Sequence, residues 1–159
     1  MDKLLGGERL NAVLAQMAED LGKETTLEVG FMSGATYPSG EPVAMIAAIQ
    51  NFGAPESNIP ARPFFTNMIE KESPRWADRL DSFLQASDYV TKVALQRFGY
   101  QVALDLQDSI LDFTTPGLSP VTIAKKGFPK PLIDTGHMMN SVSYSINEGA
   151  PKKVPAVSL

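Results

Sequence analysis

The sequence predicts an α+β fold: three or four helices, one of them long, packed on a small and mostly antiparallel sheet. Three observations predict it. Between Asp88 and Phe113, apolar residues recur at every fourth position (Val90, Ala94, Phe98, Val102, Leu106, Ile110), the ladder of one long helix. Thr25–Met32 and Ser141–Asn147 alternate instead, with Leu27, Val29 and Phe31 on one side of the first segment and Val142, Tyr144 and Ile146 on one side of the second. The helical patterns lie together between these strands rather than alternating with them, which favours helices segregated to one face of a sheet. Pairing of the two sequence-distant strands would close the domain.

The elements follow in order. Leu10, Val13, Leu14, Met17, Ala18 and Leu21 have helical spacing, and Gly22 supplies a stop. Ser33–Gly40 is rich in Gly, Ser and Pro and reads as a hairpin loop or flap. Val43–Ile49 is continuously apolar, so period alone does not separate a strand from a helix. Its alanines and the following Gly53 favour a helix over Val43–Phe52, preceded by a short strand near Pro42 and Val43. Pro60 and Pro63 hold Ala54–Pro63 extended. Phe64–Ala86 reads as a helix restarted at Pro74, with Ser73 as N-cap of a second helix carrying Trp76, Leu80, Phe83 and Leu84. Gly99 sits inside the long helix, where it costs about 1 kcal/mol relative to Ala and permits a close approach. Thr114–Gly117 ends that helix. Asp134-Thr-Gly136 has the chemistry of a turn or helix start. The chain is expected to form one domain over residues 1–148, with 149–159 an extended C-terminal tail that is mobile unless a partner holds it.

Bulk composition limits the function classes. The chain has 159 residues, enough for one domain with a real core. It has no cysteine, which excludes disulfides, Cys-ligated metals and thiol catalysis. No apolar run approaches the roughly 20 residues of a bilayer span, and the first residues lack the apolar core of a signal peptide, so no membrane role is expected. The net charge is -4, which gives no bulk affinity for nucleic acid. The charge is unevenly spread: residues 1–116 carry 9 Lys and Arg against 16 Asp and Glu, whereas residues 117–159 carry 5 Lys against Asp134 and Glu148. Two readings fit that asymmetry. One is a solvated basic loop and tail on an acidic body. The other is electrostatic complementarity between identical subunits placed head to tail.

The search for reactive groups yields no catalytic, cofactor-binding or metal-binding residue. His137 is the sole histidine, so a His-pair metal site is ruled out. A local Asp134–His137–Ser141 triad would occupy one exposed turn without an oxyanion hole. Asp134 as a turn cap and His137 as a surface or interface residue is the stronger reading. Asp105, Asp108 and Asp112 share a helix face at i, i+3 and i+7. They read as a solvated strip, or as an acidic surface meeting Lys125, Lys126 or Lys130 of a neighbour, rather than as a cation site built from loops. Lys125-Lys126-Gly127 lacks the spacing of a phosphate loop. Met138-Met139 suits either an adaptable surface or an irregular core. In Ile59-Pro-Ala-Arg-Pro-Phe-Phe65, Arg62 beside Phe64 and Phe65 is an interface composition, against which stands the reading that the rings pin the next helix to the core.

Four segments carry a resemblance. Ala48-Ile-Gln-Asn-Phe-Gly-Ala followed by Ile59-Pro-Ala-Arg-Pro-Phe-Phe is similar to a signature of tailed-bacteriophage neck proteins. Leu118-Ser-Pro-Val-Thr-Ile-Ala-Lys-Lys-Gly and Pro131-Leu-Ile-Asp-Thr-Gly-His-Met-Met-Asn-Ser-Val resemble the ending of the same group, the tail-completion and virion-morphogenesis proteins that include minor tail protein Z-like members. The order of the segments agrees over roughly residues 25–147. Met138-Met139 stands where that group commonly has a smaller or branched pair. The resemblance implies a non-enzymatic virion component without cofactor, a subunit of a homo-oligomeric, hexameric ring where tail and head connector join, assembled in the host cytoplasm. Its implied partners are the tail terminator or tail tube and the head connector proteins, with DNA within reach of the lumen. Another ring component, a tail terminator or head-closure protein, is the alternative, and a small hydrolase is the third reading. The resemblance implies that the Phe52–Gly53 turn, Ile59–Phe65 with Arg62 and Phe64, and Leu132–Ser141 with Asp134, Met138 and Met139 shape the fold and the contacts between subunits; the charge pattern adds the acidic strip Asp105, Asp108 and Asp112 and the basic pair Lys125 and Lys126 as candidate contacts.

Overall fold

The computed structural model describes residues 7–114, 120, 124, 132, 136–147 and 149–156. It has the α+β class expected: helices, one of them 22 residues long, and a three-stranded antiparallel sheet. The described helices are α1 (Gly7–Gly22), α2 (Val43–Phe52), α3 (Phe64–Glu72), α4 (Trp76–Gln85), α5 (Thr91–Asp112) and the single turn α6 (His137–Asn140). The strands are β1 (Leu27–Phe31), β2 (Val142–Ile146) and β3 (Lys152–Lys153), in the order β1-β2-β3.

The predicted closure occurs. β1 and β2 pair antiparallel with Leu27 opposite Ile146, Val29 opposite Tyr144 and Phe31 opposite Val142. Asn147 locks the end of this ladder: its amide donates to the Thr26 carbonyl at 2.9 Å, and its side-chain oxygen accepts from the Thr26 amide at 2.8 Å. Helix α5 lies on the sheet, and α3 and α4 pack against α5, so one helix is the middle layer between sheet and outer helices. Gly99 makes the approach close. A Cβ there would stand 2.7 Å from Leu27 Cδ1 and 2.8 Å from Tyr144 Cδ2. The core runs along α5 through Phe98, Val102, Ala103, Leu106 and Ile110 to Val43, Phe64, Met68, Met139 and Val142. Two side chains of α5 tie it down further: Ser109 Oγ donates to the Phe64 carbonyl at 2.7 Å, and Gln107 Nε2 to the Met139 carbonyl at 3.2 Å.

Several local expectations change. The tail is not separate from the domain. Lys152–Lys153 pairs with β2 at Tyr144 and Ser143, and Val154 is buried, so residues 152–154 belong to the fold because β2 had a free edge and the core a socket. Residues 157–159 lie outside the described set. Ser73 is not a side-chain N-cap. It keeps right-handed helical angles in a 3₁₀ turn, Ser73–Arg75, that joins α3 to α4, and a cap needs an extended residue. α5 begins at Thr91 rather than Asp88 because Asp88 and Tyr89 have φ of 50° and 59° and make a left-handed turn. The serine side of β2 is buried as well, at Ser143 and Ser145, which places this strand centrally in the sheet. The short strand expected near Pro42 is a single bridge from Thr36 to Pro42 that closes the 33–42 loop as a hairpin. Helix α1 forms as predicted, but none of its residues is buried.

Candidate interaction site

The first two segments of the resemblance fold into one clamp. α2 ends at Gly53, whose amide donates to the Ile49 carbonyl at 2.8 Å. Gly53 has φ 77° and ψ 172°, a region open to glycine alone, and a Cβ there would lie 2.7 Å from the Ala61 amide nitrogen. The absence of a side chain lets the 59–63 strand of loop cross the end of α2. There the Arg62 amide donates to the Gln50 carbonyl at 2.7 Å, and Arg62 Nη1 donates to Gln50 Oε1 at 2.9 Å. Asn51, itself buried, caps the start of α3. Its Oδ1 accepts from the amides of Phe65 and Thr66 at 3.0 and 3.2 Å, and its Nδ2 donates to Thr66 Oγ1 at 3.0 Å. Asn51 thus satisfies amides that α3, whose preceding residue is Pro63, has no other cap to satisfy.

This clamp sorts the predicted contact residues. Arg62 and Phe64 are buried, the first with its guanidinium pKa pushed down by desolvation, the second wholly in the core and edge-on to Phe31 and Phe65. They hold the loop and are not surface contacts, a correction that follows from Gly53 letting the loop close. Ile59 is half-buried and bridges back to Ala54. Phe52 is the opposite case: 75% exposed at the tip of α2. Beside it an apolar cleft of about 230 Å³ opens between α2, β1 and α3, lined by Phe31, Ala44, Ala47, Ala48, Phe52 and Phe65 together with Asn51 and Phe64. The sequence hinted at this cleft. A helix whose first seven residues are all apolar, with only one face in the core, must leave the other uncovered, and Ala44, Ala48 and Phe52 at i, i+4 and i+8 form that second face.

The acidic strip divides. Asp105 is held inside the molecule: Arg79 Nη1 donates to its Oδ2 at 2.6 Å and Gln101 Nε2 to its Oδ1 at 3.1 Å. The same guanidinium reaches buried Glu72 at 3.0 Å, so Arg79 of α4 pins α3 and α5 at once. Asp105 therefore has an internal partner where the sequence suggested a neighbour's lysine. Asp108 and Asp112 remain on the rim of a cleft of about 270 Å³ with Lys71. Desolvation, then Asp112 and Asp105, raise the Asp108 pKa above the ordinary carboxyl value. Among the described residues no group of three or more His, Cys, Asp or Glu is placed to hold a metal ion.

Met138 and Met139 are core residues at 4% and 1% exposure, so their adaptable side chains fill the space between α6 and α5 rather than a surface. His137 Nε2 lies 2.8 Å from the Thr36 carbonyl, and its ring packs on Tyr37 with centroids 4.8 Å apart. Ser141 Oγ donates to the His137 backbone carbonyl at 2.7 Å, away from the imidazole nitrogens a triad would use. Lys125, Lys126 and Asp134 lie outside the described residues. No described helix is long and apolar enough to cross a membrane. Compared with known proteins, the chain matches no family model, and no curated protein and no solved structure matches it.

Proposed function

We propose that the chain is a structural component of a tailed-phage virion, a ring subunit that completes the tail and joins it to the head. The observation that carries this reading is the use to which its signature residues are put. Gln50, Asn51, Gly53, Arg62 and Phe64 lock two segments together, and the lock leaves Phe52 bare beside an apolar cleft. Such residues shape and present a surface. A ring subunit needs two unlike faces, each complementary to the other on the next copy, and large exposed aromatics are what such contacts draw on. On this reading the protein has no catalytic residue and takes no cofactor. It is a virion protein of the neck, with the tail end and the head connector as neighbours and DNA within reach of the lumen.

Electron microscopy of particles made without this protein tests the reading. Filled heads beside full-length, unjoined tails are expected. Overlong tails would make it a tail terminator, and leaking heads with no tail defect a head-closure protein. Normal, infectious particles, or turnover of a defined substrate by the purified chain, would overturn it.

A further inference from the structure

Among the described residues two apolar surfaces lie uncovered, and they have opposite shapes. Helix α1 is a ridge. Leu10, Val13, Leu14 and Leu21 are 58%, 48%, 52% and 53% exposed, and with half-buried Met17 they line one side of a helix that buries nothing. The Phe52 cleft is a groove, with a floor of alanines that lets a helix come close and phenylalanine walls that side chains of Leu size would fill. We propose that α1 of one copy seats in the Phe52 cleft of the next, as a head-to-tail contact. It rests on the ring reading only for its closure; the contact itself follows from the two surfaces.

Position favours a neighbour as the occupant. α1 enters the sheet at Leu27 through residues 23–26, and Asp20, Lys23 and Glu24 line a groove with Ile146 and Asn147, at the same end. The cleft opens at Phe31, the other end of β1, about 13 Å away along the strand. No residue of α1 lines the cleft, so ridge and groove are separate surfaces of one chain, as a heterologous contact requires. Charge excludes a lipid surface: helices that lie on membranes are rich in Lys and Arg, whereas α1 carries Glu8, Glu19 and Asp20 against Arg9. Helix physics also calls for a cover, because isolated helices of about this length are marginal in water. Size sets the strength. A helix of 16 residues is about 24 Å long, so one such contact buries less than the roughly 1,200 Å² of a stable interface. Single contacts are therefore weak, and a closed ring, in which each copy makes two, is the stable form.

Sedimentation velocity over a wide range of protein concentration, with complementing variants, tests the contact. Leu14→Glu spoils the ridge and leaves the cleft; Phe52→Glu does the reverse. Wild type should self-associate as concentration rises, and each variant should raise the dissociation constant about tenfold or more. An equimolar mixture should regain a species of two subunits and no larger, because only one intact ridge and one intact cleft can meet. Both residues are on the surface, and circular dichroism confirms the fold of each variant; Val13→Glu and Ala48→Glu serve as a second pair. Wild type that stays monomeric, whether α1 lies free, folds onto its own cleft or binds anionic vesicles, overturns the proposal. So does Phe52→Glu associating as wild type does, the sign of α1 pairing with α1, and so does a mixture that stays monomeric. Sedimentation needs no virus particle, so a protein missing from virions would remove the functional reading and leave this contact standing.

Discussion

Helices α1 and α5 carry the same kind of sequence pattern and meet opposite fates. Each has an apolar stripe at helical spacing. α5 buries nine residues between the sheet and two helices, and α1 buries none. Periodicity reports which side of a helix is apolar. It does not report whether the same chain supplies the cover. What separates the two is the backbone around them: α5 has Gly99, which brings it onto Leu27 and Tyr144, and polar ties from Gln107 and Ser109, whereas among the described residues the hydrogen bonds and ion pairs of α1 side chains are local ones such as Gln16 to Asp20 and Lys23 to Glu19.

The contrast is sharpest in matched leucines. Leu106→Ala empties a wholly buried site and should cost about 3 kcal/mol of unfolding free energy, while Leu14→Ala on a monomeric sample should change it by less than about 0.5 kcal/mol. Urea denaturation at low protein concentration reads both, and equal costs would mean that α1 is packed after all. The next effect in size is at the clamp on α5. Arg79→Met leaves Glu72 and Asp105 without their shared cation and should cost about 2 kcal/mol, below the range for fully buried pairs because Arg79 keeps some contact with water. A thermal melt at neutral pH checks it. Gly99→Ala gains helix propensity but drives a methyl group against Leu27 and Tyr144; crowding outweighs propensity, for a net loss of about 1 kcal/mol. A stabilised variant would show that the helix stands off the sheet.

The smallest effect lies on the side of α5 that behaves like α1. The raised Asp108 pKa means that the folded state favours the protonated acid. That contribution is fully present below the ordinary carboxyl range and is lost as pH rises through the raised value. Asp108→Asn should therefore stabilise by about 0.3 kcal/mol or less near pH 7, because water screens this exposed carboxylate, and make no difference near pH 3. Paired denaturation curves at the two pH values decide it.

Much of this architecture was legible in the residues. Alternation in Leu27–Phe31 and Val142–Ile146 foretold a pairing across more than a hundred positions, because one face of each strand had to be dry. Gly99 announced a close approach, and Gly53 a helix end. What stayed hidden depended on distant partners. Nothing local says that Met138 and Met139 fill the core beneath α5, or that Arg79 reaches Asp105 across 26 positions. The signature around Arg62 and Phe64 was visible as a motif, yet its members divide between clamp and surface only when Gly53 lets the loop cross α2. Phe52 is the large apolar member that emerged on the outside.

The third strand has a consequence for how the gene tolerates damage. Since Lys152 and Lys153 complete the sheet and Val154 seals it, a premature stop upstream of these codons would do more than trim a loose end. It would bare the hydrogen-bonding border of β2, a second open edge beside that of β1, where unrelated strands could add on, and remove the two positive charges that discourage them. Products stopped before Lys152 should precipitate, while a stop after Val154 leaves the border guarded.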